Sequence, residues 1–223
     1  MKTNIAIVAH KQRRDTARKL AETIDADHIA WDQGGLGAAA NHRAAWNWHL
    51  HHPADWSIVL EDDSVPCPSF RYQLQQALGN APTQLVSLYL GQQRPPHWQD
   101  IIGKAITRAD KARACWITGR HNLHAVALAA DRQLVKTVTT ALALYGVYPV
   151  DEAVSMWTSR NNIDIAYALP SLVNHADDIP SLIQHRDGEP RPPGRVAWRH
   201  GTRRRWTPIS VPLIAPNRAT GAA

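Results

Sequence analysis

The chain has 223 residues, with 25 Lys and Arg against 19 Asp and Glu, and a net charge of +6 when histidine is neutral. That length suits one domain, or one domain with a tail, and an apolar fraction of 44% allows a sizeable core. No apolar run approaches the roughly 20 residues that span a bilayer. Two cysteines are too few for a disulfide framework or a zinc cage. The basic balance points to an anionic partner: a nucleotide, a nucleic acid, a phospholipid surface or an acidic glycan.

Residues 4–9 read as a first strand, and the run is too short for a signal-peptide core, so the expected location is the cytoplasm. Residues 13–24 have helical spacing, with Ala17, Leu20, Ala21 and Ile24 on one face. Residues 28–31 form a short strand closed by Asp32, followed by a flexible loop holding Gly34, Gly35 and Gly37. A helix is expected over 38–49, limited by Pro53. Residues 56–60 then read as a buried strand that ends in Glu61, Asp62 and Asp63. Ligands of open α/β sheets collect outside the carboxyl ends of strands. Three carboxylates packed there repel one another and favour a cation. Mg²⁺ and Mn²⁺ take carboxylate oxygens and leave positions for phosphate, so the block reads as a metal-dependent site for a phosphorylated donor. The alternative is a solvated acidic loop before Pro66 and Pro68.

A helix over 69–78 and a strand over 85–90 continue a strand–helix alternation that marks a layered α/β domain. Residues 92–113 are polar and mixed and read as a variable loop region. Strands are expected at 114–118 and 124–128, a helix over 131–145 with Asp131 as its N-cap, and a helix over 150–159. A last strand is expected at 164–168. The domain is therefore bounded at 1–180. Residues 181–223, rich in Pro, Gly and Arg, are expected to be an extended tail that wraps the domain or orders on binding. Seven arginines lie between 186 and 205, with Trp198 and Trp206 interleaved. That pattern supports a second reading, a nucleic-acid-binding protein on an α/β scaffold.

Gly34-Gly35-Leu36-Gly37, Asn41-His42-Arg43-Ala44-Ala45-Trp46 and Val59-Leu60-Glu61-Asp62-Asp63-Ser64-Val65-Pro66 together resemble the family 25 glycosyltransferases. That family includes lipooligosaccharide sugar transferases and collagen galactosyltransferases, and compact bacterial and phage-encoded members are most similar in size. The resemblance is clearest over 34–66 and fades after about residue 180. Asn41 departs from it, standing where the family often has Ser.

The resemblance implies a GT-A-like, Rossmann-like mixed sheet flanked by helices, a nucleotide-sugar donor (a UDP-sugar foremost), Mn²⁺ or Mg²⁺, and inversion at the anomeric carbon. It implies Asp63 as metal ligand, with Glu61 and Asp62 as donor contacts or indirect ligands. His175 is the implied late ligand of the metal, and imidazole suits Mn²⁺ better than Mg²⁺. Asp151, with Glu152 second, is the candidate base for the acceptor hydroxyl; the alternative is acids favoured at a helix start. His10, Lys11 and Arg13 follow the first strand, where base and phosphates fit, or form a solvated basic loop. Asp32 is a candidate acceptor for base or ribose, or a turn residue. Gly35 allows close backbone approach. Asn41 and His42 lie just inside a helix N-terminus that favours anions, and His42 contacts the donor or caps the acidic block. The acceptor can be a glycan, a phage or virion protein, or a modified DNA base. His49, His51 and His52 precede Pro53 at a helix end and are not taken as a zinc site. Trp98, Trp198 and Trp206 are candidates to stack on a ligand.

Overall fold

Successive side chains of a strand face opposite ways, and that period of two divides this protein's core. The structure is a computed structural model and describes residues 1–179, 182 and 194–214. Its elements run β1 (Thr3–His10), α1 (Arg14–Ile24), β2 (His28–Asp32), α2 (Gly37–His51), β3 (Trp56–Glu61), β4 (Ser64–Pro66), α3 (Phe70–Leu78) and β5 (Leu85–Ser87). They continue with α4 (Gln99–Ala112), β6 (Trp116–Gly119), β7 (Ala127–Asp131), α5 (Val135–Leu144), α6 (Val150–Asn161), β8 (Ile165–Ala168), β9 (Val173–His175) and β10 (Ser210–Pro212). Ala6 and Val8 of β1 pack with Val59, Leu85, Leu128, Ile165 and Tyr167 on one face of the sheet. Ile5, Ile7 and Ala9 pack with Ile58, Leu60, Val86, Ala127 and Ala166 on the other. The first face is covered by α2, α4, α5 and α6, and the second by α1 and α3. The fold is a mixed α/β sheet flanked by helices.

Among the described residues the sheet has eight strands in the order β10-β6-β8-β5-β7-β3-β1-β2. β1 runs parallel to β2 and β3, β7 is antiparallel to β3 and β5, and β8 is parallel to β5. The carboxyl ends of β1, β2, β3 and β5 therefore share one edge with the amino end of β7. At that edge β4 and β9 form a small antiparallel pair in which Ser64 faces His175. No helix among the described residues is long and apolar enough to cross a membrane.

Several expectations change. Residues 92–113, read as loop, contain α4, which buries Ile102, Ala105, Ile106 and Ala109. Those positions are a helical stripe, masked in the sequence by the polar outer face and by Gly103. The strand expected at 124–128 starts at Ala127. The helix expected from 131 starts at Val135, and Asp131 Oδ1 instead accepts from the Gln133 and Leu134 amides at 3.0 and 3.1 Å in the preceding turn. The segment at 164–168 is not the last strand.

The tail, expected to wrap the domain or to order on binding, lies on the domain in its described part and goes further than expected by joining the sheet and core. Over 194–214 the chain is built into the domain, and β10 pairs in parallel with β6. Trp206 is buried against Trp116 with ring centroids 5.1 Å apart, and its indole nitrogen donates to Gln73 Oε1 at 3.0 Å. It is a core residue and not a ligand platform. Trp98 is also buried, and Trp198 is half-buried with its indole donating to Gln99 Oε1 at 2.9 Å. Arg199 forms a fork on the Asp110 carboxylate at 2.5 and 2.6 Å, and Arg203 donates to the carbonyls of Leu169 and Arg113. Arg186 and Arg191 lie outside the described residues.

Deleting a buried indole leaves a cavity that its neighbours fill only in part. Trp206→Ala should lower unfolding stability by about 3 kcal/mol in a urea titration. An unchanged midpoint would show that the segment does not pack as described.

Candidate active site

The acidic block sits where β3 meets β4. Each carboxylate is paired, and Asp62 and Asp63 share one cation. His42, buried on α2, holds Nε2 at 3.1 Å from Glu61 Oε1. Asp62 Oδ2 accepts the His10 amide at 2.9 Å. Arg13 Nη1 lies 2.7 Å from Asp62 Oδ1 and 2.7 Å from Asp63 Oδ2, so one guanidinium nitrogen bridges both. His175 Nε2 stands 3.4 Å from Asp63 Oδ2, and the Ala176 amide donates to the Asp63 carbonyl at 2.8 Å. Burial pushes the Asp62 carboxyl up despite the His10 and Arg13 bonds. Burial also opposes charge on Asp63, but its bonds and charge interactions with His175 and Arg13 hold it below the usual range. Burial works against Arg13 as well, and the two carboxylates outweigh it and keep it charged.

The loop before α2 is organised from below by Asp32. Its Oδ1 accepts the amides of Gly34, Gly35 and Leu36 at 2.7, 2.9 and 3.1 Å, and Oδ2 accepts that of Gly37 at 2.8 Å. Those bonds, Gly35 and Leu36 foremost, hold the Asp32 carboxyl well below the usual carboxylate range. Gly34 and Gly37 adopt φ of 103° and 73°, which only glycine takes without strain. The Asp32 carboxylate is thus engaged by the loop, as in the turn-residue alternative, and the residue also lines the larger cavity over this edge.

Two cavities open over this edge. The larger, about 530 Å³, is floored by β1 and the acidic block and walled by Gly34, Gly37 and Asn41. The smaller, about 230 Å³, lies between Tyr89, His124 and the start of α6. Ala38, Glu61, His175 and Arg195 line both. Asp151 lines only the smaller one, and burial, with the nearby Glu61 charge, pushes its carboxyl up to about 6. His124 accepts the Gly91 amide on Nε2 at 3.0 Å, and burial pushes its ring down to about 3, so it stays neutral. The Tyr89 hydroxyl donates to the Arg195 carbonyl at 2.5 Å and fixes the basic segment against the cavity.

The expected residues are only partly brought together. His10, Arg13, Asp32, Asn41, His42, Glu61, Asp62, Asp63 and His175 all line the larger cavity. Lys11 and Gly35 do not line either cavity; the Lys11 side chain lies against Gly34. Glu152 is exposed and also lines neither, so Asp151 is the carboxylate placed at the site. Asn41 Nδ2 donates to the Ala9 carbonyl at 3.0 Å, joining α2 to β1. Tyr89, His124 and Arg195 were missed. Tyr89 follows a strand's carboxyl end, a signal available in the sequence, whereas Arg195 sits in a segment without periodicity.

The metal implied by the resemblance does not fit this arrangement. Among the described residues no three His, Cys, Asp or Glu side chains assemble as a metal site. The facing oxygens of Asp62 and Asp63 are taken by Arg13. Asp63 Oδ1 and His175 Nδ1 are both buried without a hydrogen bond among the described residues, but no third His, Cys, Asp or Glu side chain joins them in a metal-binding group. His49, distant from this edge, places Nε2 at 3.1 Å from the Ile58 carbonyl, and His52 stacks on Trp48 at 4.1 Å.

No family model matches the chain, and no curated protein matches it. Among solved structures, A197 from STIV aligns with a TM-score of 0.46 at 12% identity, covering 83% of this chain and 100% of that one. The inositol-1-phosphate CTP transferase from T. maritima aligns with a TM-score of 0.35 at 7% identity, covering 74% of this chain and 65% of that one. Likenesses this remote assign no activity to this chain.

Removing the Asp32 carboxylate leaves four loop amides without their acceptor. Asp32→Ala should destabilise the protein by about 2 kcal/mol at neutral pH. A depressed carboxyl stabilises above its unfolded value near 3.9, and that contribution is lost as pH falls toward the lower folded value. The gap between wild type and variant in urea midpoint should therefore narrow below about pH 4. A gap that widens on acidification contradicts the assignment.

Proposed function

We propose that this chain is a glycosyltransferase that moves a sugar from a nucleotide-sugar donor, a UDP-sugar foremost, to an acceptor hydroxyl. The observation that carries the reading is the pair of cavities meeting at Ala38, Glu61, His175 and Arg195, with the Asp151 carboxyl in the smaller one. A transfer reaction needs two substrates with their reacting atoms in contact. A volume of about 530 Å³ suits a nucleotide-sized ligand, and about 230 Å³ suits one sugar ring or a short side chain. The resemblance over residues 34–66 supplies the chemistry, since its motifs line or brace the larger cavity.

In this reading the nucleotide lies over the carboxyl ends of β1 and β2, and the sugar reaches the junction beside Glu61. The acceptor hydroxyl enters from the smaller cavity and gives its proton to Asp151. Its oxygen bonds to the anomeric carbon from the face opposite the leaving group, the bond from that carbon to the diphosphate oxygen breaks, and the nucleoside diphosphate departs with the electron pair. A base must be ionised to accept a proton, and a carboxyl raised to about 6 is close to the match that general-base transfer needs at neutral pH. The nucleic-acid-binding alternative loses support because Arg199, Arg203 and Trp206 are engaged within the domain.

A screen of UDP-, GDP- and TDP-sugars by thermal shift and donor hydrolysis tests the donor, and no response to any of them would refute the reading. With the responding donor, the rate should climb as pH rises through about 6. Asp151→Asn should lower kcat by about 10²–10⁴ and abolish that limb, with Glu152→Gln close to wild type.

A further inference from the structure

We propose that side-chain cations replace the divalent ion in this site, Arg13 for the carboxylates and Arg195 for the phosphates, so that a nucleoside diphosphate binds without metal. The inference rests on the donor reading above and deepens it. In the metal-dependent arrangement implied by the resemblance, an ion lies between the acidic block and the diphosphate. Here one guanidinium nitrogen lies 2.7 Å from both Asp62 and Asp63. The three side chains are 11%, 7% and 9% exposed, so little water competes for these bonds. An ion entering between the carboxylates would have to expel Arg13 and leave a charge in a nearly buried place, which is strongly unfavourable.

The pairing is also held in place from the backbone. Arg13 ends a one-turn 3-10 helix, Lys11–Arg13, whose start is capped by His10 Nδ1 accepting the Gln12 amide at 3.3 Å. The His10 amide itself donates to Asp62, so the same turn supplies two bonds to one carboxylate. His175 then faces the remaining side of Asp63 Oδ2. With Arg13 engaged in this way, the phosphates need another positive group. Arg195 lines both cavities at their junction, its Nε is buried without a hydrogen bond among the described residues, and its backbone is tied by Asp177 and Tyr89. It lies where the bond to the leaving group would break.

Two measurements on the full chain test this. First, Mn²⁺ alone is titrated and free Mn²⁺ followed by electron paramagnetic resonance. The wild type should bind none, whereas Arg13→Ala, checked for folding by circular dichroism, should bind one ion through the released carboxylates and His175. Second, UDP binding is followed by thermal shift and calorimetry in EDTA and in Mn²⁺. The wild-type affinity should be the same in both, and Arg195→Gln should weaken it about tenfold. Mn²⁺ bound to the wild type, or UDP binding that needs Mn²⁺, overturns the proposal. Unchanged affinity in Arg195→Gln overturns its phosphate half. If UDP, GDP and TDP all fail to bind in either buffer, the donor reading falls, and the Mn²⁺ titration of the wild type still decides the place of Arg13.

Discussion

Carboxylates at the end of a buried strand need compensation, because a charge removed from water is costly unless it is paired and hydrogen-bonded. Glu61, Asp62 and Asp63 impose that constraint on everything around them. Their partners come from three other places in the chain: His42 from α2, the His10 amide and the Arg13 shared by Asp62 and Asp63 from the end of β1 and the turn after it, and His175 from β9. The compensation therefore fixes the relative placement of four segments at one edge of the sheet. It also forms the floor of the larger cavity, so the same bonds that make the edge stable shape the surface a ligand would meet.

Around that floor, polar groups divide into supporting and open ones. Asp32 is consumed by four loop amides and holds the glycines that wall the cavity. Asn41 ties α2 to the carbonyl of Ala9, and His124 receives the Gly91 amide. None of these contacts needs a ligand. Asp151 differs, because it begins a helix at the cavity wall and burial already disfavours its charge. Its neighbour Glu152 points the opposite lesson: one residue along a helix turns a side chain by about 100°, enough to place it in solvent.

The basic segment shows how composition can mislead about location. Its arginines and tryptophans look like a nucleic-acid arm when read in a row. In the fold, Trp206 completes the core, Arg199 and Arg203 brace it, and Arg195 alone among these reaches both cavities. A segment without periodicity carries no local signal of where it docks. Its partners Gln73, Asp110, Trp116 and the Leu169 carbonyl lie far away in sequence, and only the tertiary fold brings them close.

What the sequence determined by itself were the features with short-range causes. The alternation of strands and helices, the three carboxylates at a strand's carboxyl end, the glycine loop and the acids at the start of α6 all follow from spacing within a few residues. α4 was within reach too, since its apolar stripe is regular beneath its polar face. What tertiary structure decided was which charge meets which. Arg13 and Asp62 are 49 residues apart, and Asp177 and Arg195 are 18 apart across residues of mixed character. Electrostatic pairing depends on distance through space and on burial, and both are set by the order in which strands pair, β1 beside β3 and β9 beside β4. That order is not written in any local pattern, which is why the acidic block could be read as a cation site while the cation filling it, a guanidinium from the neighbouring strand's end, could not.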